Sequence, residues 1–218
     1  MATLETALIV EITLRTLAIC GAALLVSLAL GLPLGIALGR RHFGGRVALV
    51  SLVNSGMGAP PVVVGLVVAL LLWRHGPLGV LHLMYTPVAM VVAQIVIALP
   101  LVVGITLAAV GALDEDWELQ VRTLGLPPRW RRGLLLCEIR LGLLAAVIAA
   151  MGGILSEVGA ALMVGANLEG ETRVLTTAIV MYVGMGEYEM AIGLAAVLMG
   201  LMLVLTGVLT AVQQSGRR

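Results

Sequence analysis

Uncharged apolar runs long enough to cross a lipid bilayer dominate the pattern of this chain. A hydrocarbon core of about 30 Å takes roughly 20 helical residues to span. Five runs of that kind occur, at about residues 16–38, 55–73, 86–110, 141–164 and 190–212. They predict five transmembrane helices in a single all-α membrane domain covering residues 1–218, with the termini on opposite sides. In the third run, Pro100 is expected to kink the helix, and Gln94, two turns earlier, to face a dimer partner or a path rather than lipid. Residues 54–61, Asn-Ser-Gly-Met-Gly-Ala-Pro-Pro, open the second run. They fit an ordinary helix start and equally a backbone segment turned towards a cavity.

Two polar segments interrupt this pattern, 114–140 and 165–189, and both are longer than a connection needs. In the first, Asp114, Glu115 and Asp116 precede a helix expected over residues 117–124, where acidic groups complement the helix dipole. Gly125 and the pair Pro127-Pro128 stop it, and a second helix from 129 to 138 leads into the fourth span. Leu119, Val121 and Leu124 would fill a groove on a partner, with Glu118 and Arg122 four residues apart setting the orientation. A helix resting on lipid at the interface fits the same residues.

Composition excludes a water-soluble enzyme. Hydrophobic residues make up 61% of the chain and charged ones 11%, with a mean hydropathy of +1.12, so lipid must cover much of its surface. The 27 glycines suit closely packed membrane helices. A net charge of +1 and the lack of a basic tail give no footing for nucleic acid. Cys20 and Cys137 have neither disulfide nor metal-ligand spacing and are read as packing residues. The first apolar run is too long for a signal-peptide core and is expected to remain as a span.

Arginine placement sets the orientation, because Arg-rich short loops stay in the cytoplasm. Arg40, Arg41, Arg46, Arg122, Arg129, Arg131, Arg132, Arg140, Arg217 and Arg218 fall on one side. Arg15, Arg74 and Arg173 fall on the other, among Glu5, Glu11, Glu169, Glu171, Glu187 and Glu189. The N-terminus is therefore expected outside and the C-terminus inside.

The run Arg122-Thr123-Leu124-Gly125, followed by Pro128, Arg129 and Trp130, resembles the cytoplasmic coupling loop of permease subunits from binding-protein-dependent ABC importers. Leu119-Gln120-Val121 stand where that family has Glu-Ala-Ala, with Glu118 one place early, and Leu135-Leu136-Cys137-Glu138 replace its Ile-x-Leu-Pro. Further on come Ser156-Glu157-Val158-Gly159-Ala160, Leu162-Met163-Val164-Gly165-Ala166-Asn167, Gly170, and Thr172-Arg173-Val174-Leu175-Thr176-Thr177-Ala178-Ile179. These resemble the molybdate and tungstate branch, and the ending at 172–179, with Glu138-Ile139-Arg140, is most similar to the tungstate type.

The resemblance implies a type I ABC importer permease fold in a prokaryotic cytoplasmic membrane. It also implies a homodimer, two cytoplasmic ABC ATPase subunits and an extracytoplasmic oxyanion-binding protein. The cargo would be a tetrahedral oxyanion, tungstate first, with molybdate or sulfate as alternatives. Without lysine or a Gly-x-x-x-x-Gly-Lys-Ser/Thr run, the chain is expected to bind no cofactor and hydrolyse nothing, leaving ATP and Mg to the partner ATPase. ATPase coupling falls to Glu118, Arg122, Thr123, Leu124, Gly125 and Pro128.

The expected translocation gate comprises Ser156, Glu157, Gly159, Asn167, Thr172, Arg173, Thr176 and Thr177. Glu157 is the one ionisable residue deep in an apolar run, about 24 Å from the inner surface. An acid repels a dianion, so its expected role is structural: accepting hydrogen bonds from Arg173 or from loop amides and holding the external segment shut. Arg173 is the external cation best placed to attract an oxyanion, or else it pairs with Glu169 or Glu171. The small and hydroxylated residues would pass a hydrated anion; packing contacts explain them and Gly152, Gly153 and Gly165 about as well.

Two other classes lack the residues they need. An intramembrane hydrolase needs a base beside a buried serine, and His42, His75 and His82 all lie in short loops. An ion-gradient-driven secondary transporter usually carries internal repeats, and none is evident.

Overall fold

With no helix-stopping cluster before residue 40, the first apolar stretch forms one helix, α1 (Ala2–Arg40), of 39 residues. At about 1.5 Å per residue it is roughly 58 Å long, so its first turns extend beyond any hydrocarbon layer. The computed structural model describes residues 2–41, 43–114 and 116–215, without the side chains of 2–5, 118 and 122. Glu115, His42, Arg217, Arg218 and the side chain of Glu5 thus lie outside the described residues. The order continues with α2 (Arg46–Met57), α3 (Pro61–Leu72), α4 (Pro87–Gly111), α5 (Trp117–Thr123) and α6 (Pro128–Glu138). It ends with α7 (Arg140–Leu155), α8 (Gly159–Gly165), α9 (Leu175–Met185) and α10 (Tyr188–Ser215), and no strand occurs among the described residues.

α4 is the central post. Its start is fixed by Pro87 in the first turn and by Thr86, whose hydroxyl accepts the Ala89 amide at 3.3 Å. It packs against α1, α2, α3, α7 and α8. The α1–α4 contact depends on Gly31, Gly35 and Gly39, spaced four residues apart on one helical face. A Cβ on Gly31 would lie 2.6 Å from Val102 Cγ1, one on Gly35 2.8 Å from the Val103 carbonyl oxygen, and one on Gly39 2.7 Å from Val110 Cγ1. Only residues without a side chain let the two backbones approach so closely.

Three apolar clusters join the helices, two of them built on α4 and all three on α1. Ile19, Leu72, Met90 and Val164 join α1, α3, α4 and α8; Ala23, Val102 and Ile154 join α1, α4 and α7; Ile12, Leu175 and Leu194 join α1, α9 and α10. Beyond them α10 exposes Ile192, Met199, Leu203 and Val208, an apolar face that lipid can cover.

Several sequence expectations are corrected. α1, α4 and α10 are each long and apolar enough to cross a membrane, but the second and fourth spans are not single rods. The second run falls on the end of α2 and on α3, which meet at 107° where Pro60 and Pro61 interrupt the helix. The fourth is α7, already bent by 62° from α6, and it ends at Leu155. α8 follows only after a break, and residues 165–189 are not merely a loop, since they contain α9. Pro100 lies inside α4, which runs on past it to Gly111. Gln94 faces α1, its amide donating to Cys20 Sγ at 3.6 Å, rather than a path or dimer surface. Cys20 is buried, but Cys137 is exposed and packs nothing away.

Gly35→Val is expected to destabilise the protein by about 1–3 kcal/mol, because its side chain meets main chain that cannot step aside. Gly200→Ala, with nothing within 4 Å, is the control and should be neutral or gain up to about 1 kcal/mol. Thermal unfolding in detergent reads both, and equal midpoints would contradict the close α1–α4 approach.

Candidate functional site

The break between α7 and α8 is built from its own side chains. The Ser156 hydroxyl donates back to the carbonyls of Gly152 at 2.9 Å and Gly153 at 3.1 Å, closing the end of α7. Glu157 follows, 8% exposed, and its carboxylate accepts the Ala160 amide at 2.8 Å, satisfying a free N–H in the first turn of α8. Its main-chain carbonyl accepts the Thr176 hydroxyl of α9 at 2.9 Å. Glu157 therefore joins three helices rather than sitting within one.

The other break packs opposite. Gly65 of α3 comes so near α8 that a Cβ there would lie 2.5 Å from Ala160 Cα, and one on Gly159 would lie 2.5 Å from Val62 Cγ2. Between the breaks lies a crevice of about 340 Å³, lined by residues 56–61 on one side and Gly153, Ser156 and Glu157 on the other. Segment 54–61 thus does face a cavity, although α2 runs through Asn54 and Ser55 rather than starting there. Of the residues lining the crevice, Glu157 alone is ionisable.

The segment after α8 is strapped down. Ala166 and Asn167 both take positive φ, 57° and 56°, and turn the chain at the end of α8. The buried Thr172 hydroxyl donates to the Gly165 carbonyl at 2.5 Å and accepts the Leu168 amide at 2.8 Å. Arg15 of α1 donates to the carbonyls of Arg173 at 3.2 Å and Gly170 at 2.8 Å, and pairs with Glu11. Thr16 accepts the Leu175 amide at 2.9 Å. Thr177 accepts the Val174 amide at 3.1 Å, capping α9. Arg173 pairs with Glu169 at 3.2 Å.

At the other end of the molecule, α5 and α6 form an elbow. Gly125, at φ 63°, ends the turn after α5, and Pro128 begins α6 rather than stopping α5. Trp117 packs against the cluster of Val110, Leu135 and Ile139. Leu119 and Leu124 are 62% and 64% exposed, while Val121 is 7% exposed. Val121 therefore belongs to the protein's own interior, not to an outward docking set. The Thr123 hydroxyl donates to the Gln120 carbonyl at 2.7 Å. The side chains of Glu118 and Arg122 lie outside the described residues.

Residues 31–218 match the family described as binding-protein-dependent transport system inner membrane component. The chain belongs to that family. It is similar to a probable anion ABC transporter permease protein of Haloferax volcanii, 41% identical across 89% of this chain and 86% of the relative. It is also similar to the tungstate uptake system permease protein TupB of Peptoclostridium acidaminophilum, 37% identical across 87% and 83%. The sulfate transport system permease protein CysW of a Synechocystis strain is 30% identical across 82% and 67%.

In this inner-membrane permease the residues anticipated for the gate fall into two groups. Ser156, Glu157, Gly159 and Thr176 meet at the α7–α8 break. Asn167, Thr172, Arg173 and Thr177 belong to the strap and the start of α9. Glu157 and Arg173 are not partners: the carboxylate takes a backbone amide, and the guanidinium takes Glu169. Sequence reasoning missed the pairing of the two breaks and the part Arg15 and Thr16 play in the strap. Proximity across about 95 residues for the breaks, and across 155 or more for the strap, leaves no local signal.

Because the Ala160 amide needs an oxygen acceptor, Glu157→Gln should keep stability within about 0.5 kcal/mol, whereas Glu157→Ala should cost about 0.5–2 kcal/mol. Thermal unfolding separates them, and equal losses would rule out the cap.

Proposed function

We propose that this permease is the membrane-spanning subunit of an ATP-driven importer for a tetrahedral oxyanion, and that its cargo is tungstate. The observation that carries the cargo is the 37% identity to a tungstate uptake permease over 87% of the chain. The sulfate relative favours a second reading, in which sulfate or molybdate is carried by the same path. All three ions are tetrahedral dianions, so discrimination falls to an external binding protein.

In this reading two copies of the chain face one another, two cytoplasmic ATPase subunits bind ATP and Mg, and an external oxyanion-binding protein delivers the ion. The N-terminus lies outside and the C-terminus inside, following the arginine asymmetry. The α5–α6 elbow receives the ATPase stroke through the exposed Leu119 and Leu124. Its route to the gate is short: α6 leads directly into α7, which ends at Ser156 and Glu157. The gate is the paired break, where the anion passes hydrated along hydroxyls and backbone while the Glu157 carboxylate keeps α8 in place.

Vesicles holding the chain with its ATPase subunits and binding protein should take up labelled tungstate only with ATP, and excess molybdate should compete. Uptake driven by an ion gradient without the ATPase would overturn the ATP-driven reading; uptake of sulfate in preference to tungstate would overturn the cargo. In the same vesicles, Leu124→Asp should lower uptake about tenfold or more, as expected for an apolar anchor at an interface, with unchanged thermal unfolding of the chain. Unaltered uptake would remove the elbow from coupling.

A further inference from the structure

Two cavities meet at the end of α1. One, about 660 Å³, lies between α1 and α6, with Arg40, Arg41 and Arg132 along it and Ile36 and Leu135 behind them. The second, about 580 Å³, lies between α1 and the start of α2 and is walled by Leu34, Phe43 and Leu49. Arg41 and Ala37 line both. Three formal positive charges thus stand over two apolar grooves, and no acidic side chain lines either groove among the described residues. Leu135 is buried against Val110 and Ile139, which fixes the α6 wall of the first groove.

We propose that this pair of grooves is a binding site for an anionic phospholipid, its phosphate held by Arg40, Arg41 and Arg132 and one acyl chain lying in each groove. Guanidinium groups hold phosphate oxygens through paired N–H donors, and arginine is less strongly hydrated than lysine. A free inorganic anion would use the cations and leave both apolar walls in water. A lipid satisfies both kinds of surface, and basic pockets beside membrane helices on the cytoplasmic side suit such headgroups. The bound lipid would tie the end of α1 to α6, next to the coupling elbow. Only the assignment of this end to the cytoplasmic leaflet rests on the orientation proposed above.

Native mass spectrometry of the full chain in detergent, offered phosphatidylglycerol or phosphatidylcholine at equal concentration, tests the site without depending on transport. Retention of phosphatidylglycerol should exceed that of phosphatidylcholine by about fivefold or more, the worth of roughly one well-placed arginine. The triple variant Arg40→Gln, Arg41→Gln, Arg132→Gln should erase the preference, and Arg41→Gln alone should weaken it with an unchanged unfolding midpoint. Leu136→Glu, which places a carboxylate in the first groove and keeps every arginine, should also expel the lipid. Three results would overturn the proposal: no preference in the parent chain, a preference that survives the triple variant, or displacement of the lipid by inorganic phosphate alone. Loss of the lipid on adding the ATPase subunits, with the same arginines needed for that binding, would make the grooves a protein-docking face instead. Tungstate uptake is scored separately, so a failure of the transport reading remains distinguishable.

Discussion

Backbone groups freed at a helix break inside a hydrocarbon layer have no water to bond, so protein must satisfy them. Among the described residues two such breaks fall in apolar segments, at 58–60 and 156–158, and they face one another across the crevice. Around the second, the Ser156 hydroxyl turns back on α7, the Glu157 carboxylate accepts the Ala160 amide, and the Thr176 hydroxyl donates to the Glu157 carbonyl. Two of these residues, Ser156 and Glu157, also line the crevice. Stability and the candidate pathway therefore cannot be assigned to different parts of the chain, and a substitution at Glu157 has to be read for both.

What keeps the two breaks in register is the scaffold behind them. α4 touches both broken segments, and α1 holds α4 through a glycine face that brings main chain against main chain. α1 also reaches the strap after α8, where Arg15 and Thr16 bond backbone of residues 170–175. One long helix thus links the strap at one end to Arg40 and Arg41 at the other. Movement transmitted from the elbow through α6 and α7 would meet the breaks from one side, with α1 and α4 as the fixed reference on the other.

The sequence was legible wherever a long periodic signal existed. α1, α4 and α10 follow from apolar length alone, and the elbow follows from Gly125 and the two prolines. Besides the long-range contacts, three local features were not legible, each for a physical reason. The α7–α8 break has no proline, and Gly152 and Gly153 have the composition of ordinary packing residues. α9 is only 11 residues long, too short to register as a span, so its apolar sequence merged with the polar residues around it. The inward turn of Val121 depends on how α5 rests on the rest of the protein, which spacing within a seven-residue helix does not define. The glycine spacing at 31, 35 and 39, by contrast, was present in the sequence and went unused.

The acid at the crevice has a consistent place in anion transport once its hydrogen bond is taken into account. A carboxylate aimed freely into the path would raise the barrier to a dianion by like-charge repulsion, most of all where water is scarce. Glu157 instead directs its carboxylate to a helix amide, where the positive end of the α8 dipole partly offsets the charge. In the proposed cycle the lining then offers the ion hydroxyl and main-chain groups without a fixed cation to trap it. A trapping cation would favour occupancy over release, and release is what a permease fed by a separate binding protein has to favour. Arg173 adds no fixed cation to that lining either, since its guanidinium pairs with Glu169 and is not among the residues that line the crevice.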